Sequence, residues 1–185
     1  MSPASKPAVS LAEPVAAPSA GQVALRFGVG AGLVCAAWVV FLQLTGNNAF
    51  GPKQIMGLLA VPLAAMGSQW WLRYRLAPAL PGVGRMLAVG SLTVLLAAGL
   101  AAASAWGLAY GAGEKSLKLA QAEMVEIVRV EQQQRDPQKR NPQLEQRELQ
   151  QATTVSIGGF AFGTFVRAVM LGLLAAIPAG IFLRK

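Results

Sequence analysis

The chain has 185 residues, of which 54% are hydrophobic and 13% are charged, and its formal net charge is +8. Soluble globular domains have about 25% charged residues, and disordered chains are poor in apolar residues, so this composition excludes both classes over most of the length. The chain has one cysteine, Cys35, and no histidine. It therefore has neither an internal disulfide nor the residues of a Cys/His zinc cluster, and a small membrane protein is the class that remains.

The N-terminal segment, residues 1–23, is rich in Ala, Pro and Ser and has no periodic apolar pattern. Such a segment buries too little apolar surface to offset the entropy lost on ordering. We therefore expect a disordered cytoplasmic tail over 1–23, followed by a transmembrane domain over 24–185.

Four apolar stretches follow, and each has the length of a membrane-spanning helix. A bilayer core of about 30 Å needs roughly 20 helical residues. Buried helices of a soluble protein would keep a polar stripe where they meet water, and these stretches have none. The sequence thus predicts an all-α integral membrane bundle with kinks near Pro62 and Pro178 and four transmembrane helices, at residues 27–44, 55–72, 86–110 and 160–183.

Basic residues concentrate on one side of the predicted bundle. The connection between the second and third spans contains Arg73, Arg75 and Arg85. Arg26 precedes the first span, whereas the loop between the first and second spans carries only Lys53. Because cytoplasmic loops are enriched in Lys and Arg, we expect both termini in the cytoplasm. This topology accounts for the net charge, and we expect no nucleic-acid partner.

The connection between the third and fourth spans, residues 111–159, is the one sizeable polar segment, and we expect it to be extracytoplasmic and helical. Apolar residues at helical spacing, among them Leu117, Met124 and Val128, predict a helix over 114–135. A second helix is predicted over 143–152. The apolar face of the first has three candidate uses: docking on the second helix, lying on the membrane surface, or binding a partner protein.

Small residues four apart predict close helix packing within the bundle or self-association, and they occur as the pairs Gly28 with Gly32 and Gly159 with Gly163. Arg167 is the one residue inside a predicted span that is charged at neutral pH. It is a candidate contact for a lipid headgroup or an anionic substrate, although its long side chain can also extend to the membrane surface without binding either.

The sequence gives little support for a catalytic role in the membrane, because the predicted spans contain no Asp, Glu, His or Lys. We expect a protein that is not an enzyme, with no cofactor and no metal, that acts as a membrane interaction or assembly component through its extracytoplasmic loop. Its expected partners are the lipid bilayer and either a second copy or another membrane protein. The alternative is a subunit of a small oligomeric transporter or channel, whose path would be lined by Arg167, Gln43, Gln69, Ser91 and Thr93.

Three segments carry a resemblance to a known family: LRFGVGAGLV at 25–34, WWLRYR at 70–75 and GLLAAIPAGIFLRK at 172–185. With the glycine-bearing third span that leads into a charged helix, they resemble the bacterial membrane proteins grouped as domain of unknown function 4199. The resemblance implies a multi-pass protein of the bacterial inner membrane. It implies no activity, cofactor or catalytic residue.

Overall fold

The computed structural model describes residues 19–78, 81–136, 141–154 and 156–183, and over 112–117 it describes the backbone alone. This part of the chain is helical, without strands, and contains α1 (Ala20–Leu44), α2 (Gln54–Leu58), α3 (Ala60–Leu76), α4 (Val83–Gln134), α5 (Pro142–Thr153) and α6 (Ile157–Phe182). Four segments are long and apolar enough to cross a membrane: Ala20–Leu44, Gln54–Leu76, Val83–Gly111 and Ile157–Phe182. The predicted all-α fold with four membrane-spanning helices is confirmed.

The first helix begins earlier than the sequence analysis predicts. Ser19 caps α1, because its side chain accepts a hydrogen bond from the Gln22 backbone N–H while the Gln22 side chain bonds back to Ser19. Val23 is buried. Residues 20–23 thus belong to the bundle, which corrects the expected boundary of the tail. The remainder of the expected tail, 1–18, lies outside the described residues.

The second span is built from two helices that meet at Leu59. Pro62 has no backbone N–H to donate to the carbonyl of Leu58, and its ring crowds that carbonyl, so the helix is interrupted one turn before the proline. Pro178, by contrast, lies inside α6, which stays helical to Phe182.

Close contacts at glycines define the helix directions. Gly28 and Gly32 lie against Leu96 and Leu100, so α1 and α4 run parallel. Gly172 lies against Val94, and Gly180 against Leu87, so α6 runs antiparallel to α4. Residues 45–53 and the connection to α6 therefore share one end, which we call the loop end. The opposite end, which we call the terminal end, carries Ser19, Leu183 and the connection between α3 and α4.

The fourth helix extends well past its membrane-spanning part. It is 52 residues long, and its second half coincides with the helix predicted over 114–135. Ala109 belongs to a buried cluster with Phe160 at the loop end. Ile127, however, lines the same cleft as Arg167, and Arg167 lies further along α6 than Phe160 does. A straight helix would place Ile127 roughly 27 Å beyond Ala109. The axis therefore bends between Ala109 and Ala120, and residues 118–134, which we call the arm, fold back over the loop end.

Candidate functional site

The arm covers a cleft at the loop end with a volume of about 290 Å³. Three segments build it: the connection from α1 to α2 together with α2 itself, the arm, and α6. We call it the loop-end cleft, and its lining residues are Phe50, Gly51, Pro52, Ile55, Ala120, Glu123, Met124, Ile127 and Arg167. Its walls are mostly apolar, and it holds one positive and one negative side chain.

Arg167 extends along its own helix towards the loop end. Its Nε donates a hydrogen bond to the Gly163 carbonyl one turn earlier, at 3.2 Å, and its guanidinium lies over the Phe160 ring, 5.7 Å from the centroid. A Cβ at Gly163 would stand 3.8 Å from the guanidinium, which is an ordinary van der Waals contact, so this path does not depend on glycine there. Among the described residues Arg167 has no ion-pair partner. Its two terminal nitrogens are therefore available to a ligand.

Glu123 is held in the cleft by the connection between α1 and α2. The Asn48 side-chain amide donates to the Glu123 carboxylate at 2.8 Å, and the Asn48 side-chain oxygen accepts from the Phe50 backbone N–H at 2.9 Å. A Cβ at Gly51 would stand 2.6 Å from the carboxylate, closer than van der Waals contact permits. Glycine at this position thus admits the carboxylate.

The side chains predicted to form a partner-binding face lie in different surroundings. Met124 lines the loop-end cleft, and Val128 is half-buried on the arm. The side chain of Leu117 lies outside the described part of the chain. Two apolar residues that the analysis did not single out, Leu119 and Val130, stay 55% and 42% exposed. They are eleven residues apart, close to three full turns, and so lie on the same side of the arm.

A polar contact joins the arm to α5. The Gln132 amide donates to the Glu145 carbonyl at 3.0 Å and to the Glu148 carboxylate at 3.2 Å, and Arg135 pairs with Glu148 at 3.0 Å. The hydrogen bond from Arg135, followed by that from Gln132, holds the pKa of Glu148 below its ordinary value. Contact with Glu148 in turn raises the pKa of Arg135. The arm is thus fixed on one side to the bundle and on another to α5.

The four packing glycines separate into two groups. A Cβ at Gly28 or Gly32 would stand 2.7 or 2.5 Å from a leucine Cβ of α4, so both positions bring two helices together. A Cβ at Gly159 would meet only the side chain of Ser156, the N-cap of the same helix, and a Cβ at Gly163 only that of Arg167, one turn further along it. Among the described residues, no other helix lies within 4 Å of a Cβ at either position, so these two glycines do not bring two helices of the described bundle together.

Polar residues of the suggested transport path connect helices to one another. Gln69 is fully buried, and its amide donates to the Met86 carbonyl at 3.2 Å and the Ala176 carbonyl at 2.9 Å. The hydroxyls of Ser68 and Thr93 lie 3.1 Å apart, also fully buried. Arg167 lies apart from them in the loop-end cleft, and Gln43 and Ser91 are half-buried. The named residues do not share one cavity.

Asn48, Gly51 and Glu123 also belong to the site, although no sequence pattern predicted them. The run from Asn47 to Pro52 has the residues of a turn, which indicates a loop. Nothing in it indicates contact with Glu123, which is 75 residues away from Asn48. Within the described residues, no group of three or more His, Cys, Asp or Glu side chains is arranged to hold a metal ion.

Comparison with known proteins gives one match. No curated protein and no solved structure matches the chain significantly. A family profile matches residues 26–185, from the second turn of α1 through the arm, α5 and α6. That range is most of the chain and includes every residue of the loop-end cleft. The chain belongs to the family described as "Protein of unknown function (DUF4199)".

Proposed function

We propose that this protein is a non-enzymatic interaction or assembly component of the bacterial inner membrane, and that the arm and α5 recruit its partner outside the cytoplasm. The observation that carries the proposal is that the arm is held in place and still exposes apolar side chains. It is fixed to the bundle through Glu123 and to α5 through Gln132, yet Leu119 and Val130 remain exposed on one side. A rigid helix with an uncovered apolar side favours helix-mediated recognition.

The hydrogen bonds of the interior polar residues support this role over transport. A path for a polar solute needs accessible donors and acceptors. Gln69 and Thr93 instead bond to neighbouring helices, Thr93 through the Ser68 hydroxyl, and both are fully buried. Interhelical hydrogen bonds of this kind hold membrane helices together.

Photo-crosslinking in native membranes tests the proposal. A crosslinking residue at Val130 of the full chain is compared with one at Arg129, which is also exposed but lies about 100° away around the helix. We expect one dominant protein adduct from position 130 and little from position 129. Equal adduct patterns at both positions, or an unchanged set of co-purifying proteins and oligomers after deletion of residues 114–152, would overturn the proposal.

The proposed orientation places both termini in the cytoplasm. Its support is the terminal end, where Arg73 and Arg75 lie in the last turn of α3 and the Arg75 guanidinium lies 5.0 Å from the centroid of the Trp71 ring. The exposed rings of Trp70 and Tyr74 lie at the same end. Such basic and aromatic clusters are typical of a cytoplasmic membrane interface.

Cysteine labelling tests this orientation. The native Cys35 is 1% exposed, so a membrane-impermeant maleimide reports on an introduced cysteine. In intact cells we expect labelling of Gln134→Cys, and labelling of Arg85→Cys only after the membrane is permeabilised. Labelling of Arg85→Cys in intact cells would reverse the orientation.

A further inference from the structure

The loop-end cleft contains a positive and a negative side chain that are held apart from each other. Arg167 is positioned by the Gly163 carbonyl and the Phe160 ring, and Glu123 by the Asn48 amide. No ion pair joins them, and both side chains are exposed. Opposite charges that share a cleft without neutralising each other are complementary to a ligand that carries both signs.

The walls of the cleft and its depth indicate a lipid. Ile55, Met124 and Ile127 are apolar, and the outer surface of the bundle around the cleft is that of a membrane-spanning protein. The Arg167 backbone lies ten residues into α6, roughly 15 Å from its first residue, but the guanidinium extends back to Phe160, three residues after that start, towards the level where headgroups give way to acyl chains. At about 30 Å³ per water molecule, the cleft has the volume of roughly ten waters, which is sufficient for a phospholipid headgroup.

We propose that the loop-end cleft binds one zwitterionic phospholipid whose headgroup joins a phosphate to a primary ammonium, as in phosphatidylethanolamine. Arg167 contacts the phosphate through its terminal nitrogens, and Glu123 accepts a hydrogen bond from the ammonium. The acyl chains leave along the apolar walls towards the bilayer. This site is separate from the exposed side of the arm that carries Leu119 and Val130, so it stands independently of the proposed partner.

The headgroup chemistry predicts a distinct order of affinities. Phosphatidylcholine keeps the phosphate, but its trimethylammonium has no N–H to donate to Glu123. Phosphatidylglycerol keeps the phosphate and can donate to Glu123 only from a neutral hydroxyl, because it has no cation. Since the hydrogen bond between an ammonium and a carboxylate is missing in both cases, phosphatidylethanolamine is expected to bind about tenfold more tightly than either.

Native mass spectrometry of the full chain in detergent measures these affinities, with dioleoyl lipids that differ only in headgroup. In Glu123→Gln we expect phosphatidylethanolamine to fall to the affinity of phosphatidylglycerol, while phosphatidylglycerol itself binds as before. In Arg167→Gln we expect all three lipids to lose about tenfold, since the phosphate contact is common to them. The matched control is Glu126→Gln, which removes a carboxylate from the same arm but outside the cleft and should change nothing.

A second variant tests the same contact without removing a charge. Gly51→Ala places a methyl group against the Glu123 carboxylate, which must shift away from its present position, and should reduce the headgroup preference. If Arg167→Gln does not fold, Glu123→Gln and Gly51→Ala still decide the question. Equal binding of the three lipids to the unaltered protein, a preference that survives Glu123→Gln, or binding of free phosphoethanolamine as tight as that of the lipid would each overturn the proposal.

Discussion

A methyl group at Gly32 tests whether close approach of α1 and α4 stabilises the bundle. Its Cβ would stand 2.5 Å from the Cβ of Leu100, whereas carbon atoms in contact prefer about 3.5 to 4.0 Å. The Leu100 Cβ is attached directly to the backbone of α4, so no change of rotamer relieves the overlap. The two helices must therefore separate locally by about 1 Å or more. An overpacked site of this kind costs about 1 to 3 kcal/mol, and we expect Gly32→Ala to lose that much stability.

Gly30 provides the matched control, because a Cβ there meets nothing within 4 Å. Gly30→Ala lies on the same helix and makes the same chemical change, so its free energy of unfolding should stay equal or rise slightly. Unfolding in mixed micelles with increasing SDS, followed by circular dichroism, measures both variants. Equal unfolding midpoints for Gly32→Ala and Gly30→Ala would refute the argument, because the helix contact would then contribute nothing.

Two further predictions concern the interior and the arm. A Cβ at Gly90 would overlap the Gln69 amide, so Gly90→Ala should lower the free energy of unfolding by about 1 to 3 kcal/mol in the same SDS assay. The double variant with Gln69→Ala should lose clearly less than the sum of the two single losses. Strictly additive losses would contradict the contact. The pKa of Glu148 in the folded protein is lower than its ordinary value of 4.5. The stabilisation that its carboxylate gives to the docking of α5 is therefore complete above pH 4.5 and is lost as the pH falls through the folded-state pKa. Hydrogen exchange in α5, corrected for intrinsic rates, should therefore quicken below about pH 4.5, and a step of equal size in Arg135→Gln would exclude the ion pair as its cause.

The four spans were predictable because hydropathy and length determine them almost alone. The predicted stretches agree with the helices to within a few residues at most ends, and the interruption before Pro62 follows from the missing N–H. The start of α1 was also encoded, in the cap formed by Ser19 and Gln22, but the Ala- and Pro-rich composition around it obscured that local signal.

The loop-end cleft was not predictable from local patterns. Its lining comes from three segments that are distant in the chain, and the bend of α4 that joins them depends on contacts such as Asn48 with Glu123. The direction of the arm depends on what the arm meets, which no local pattern specifies. Spacing alone also could not distinguish the surroundings of Gly32, which faces α4, from those of Gly163, which faces Arg167.

The unbroken backbone of α4 has a consequence for chain length near its bend. Residues 112–117 are helical and connect the membrane-spanning part to the arm. Because each helical residue turns the chain by about 100°, one inserted or deleted residue there would rotate the arm relative to the bundle. Glu123 would then leave the cleft, and another face of the arm would meet Phe50 and Arg167. The number of residues in this short connection therefore determines the rotational phase of the arm as strictly as any single side chain does.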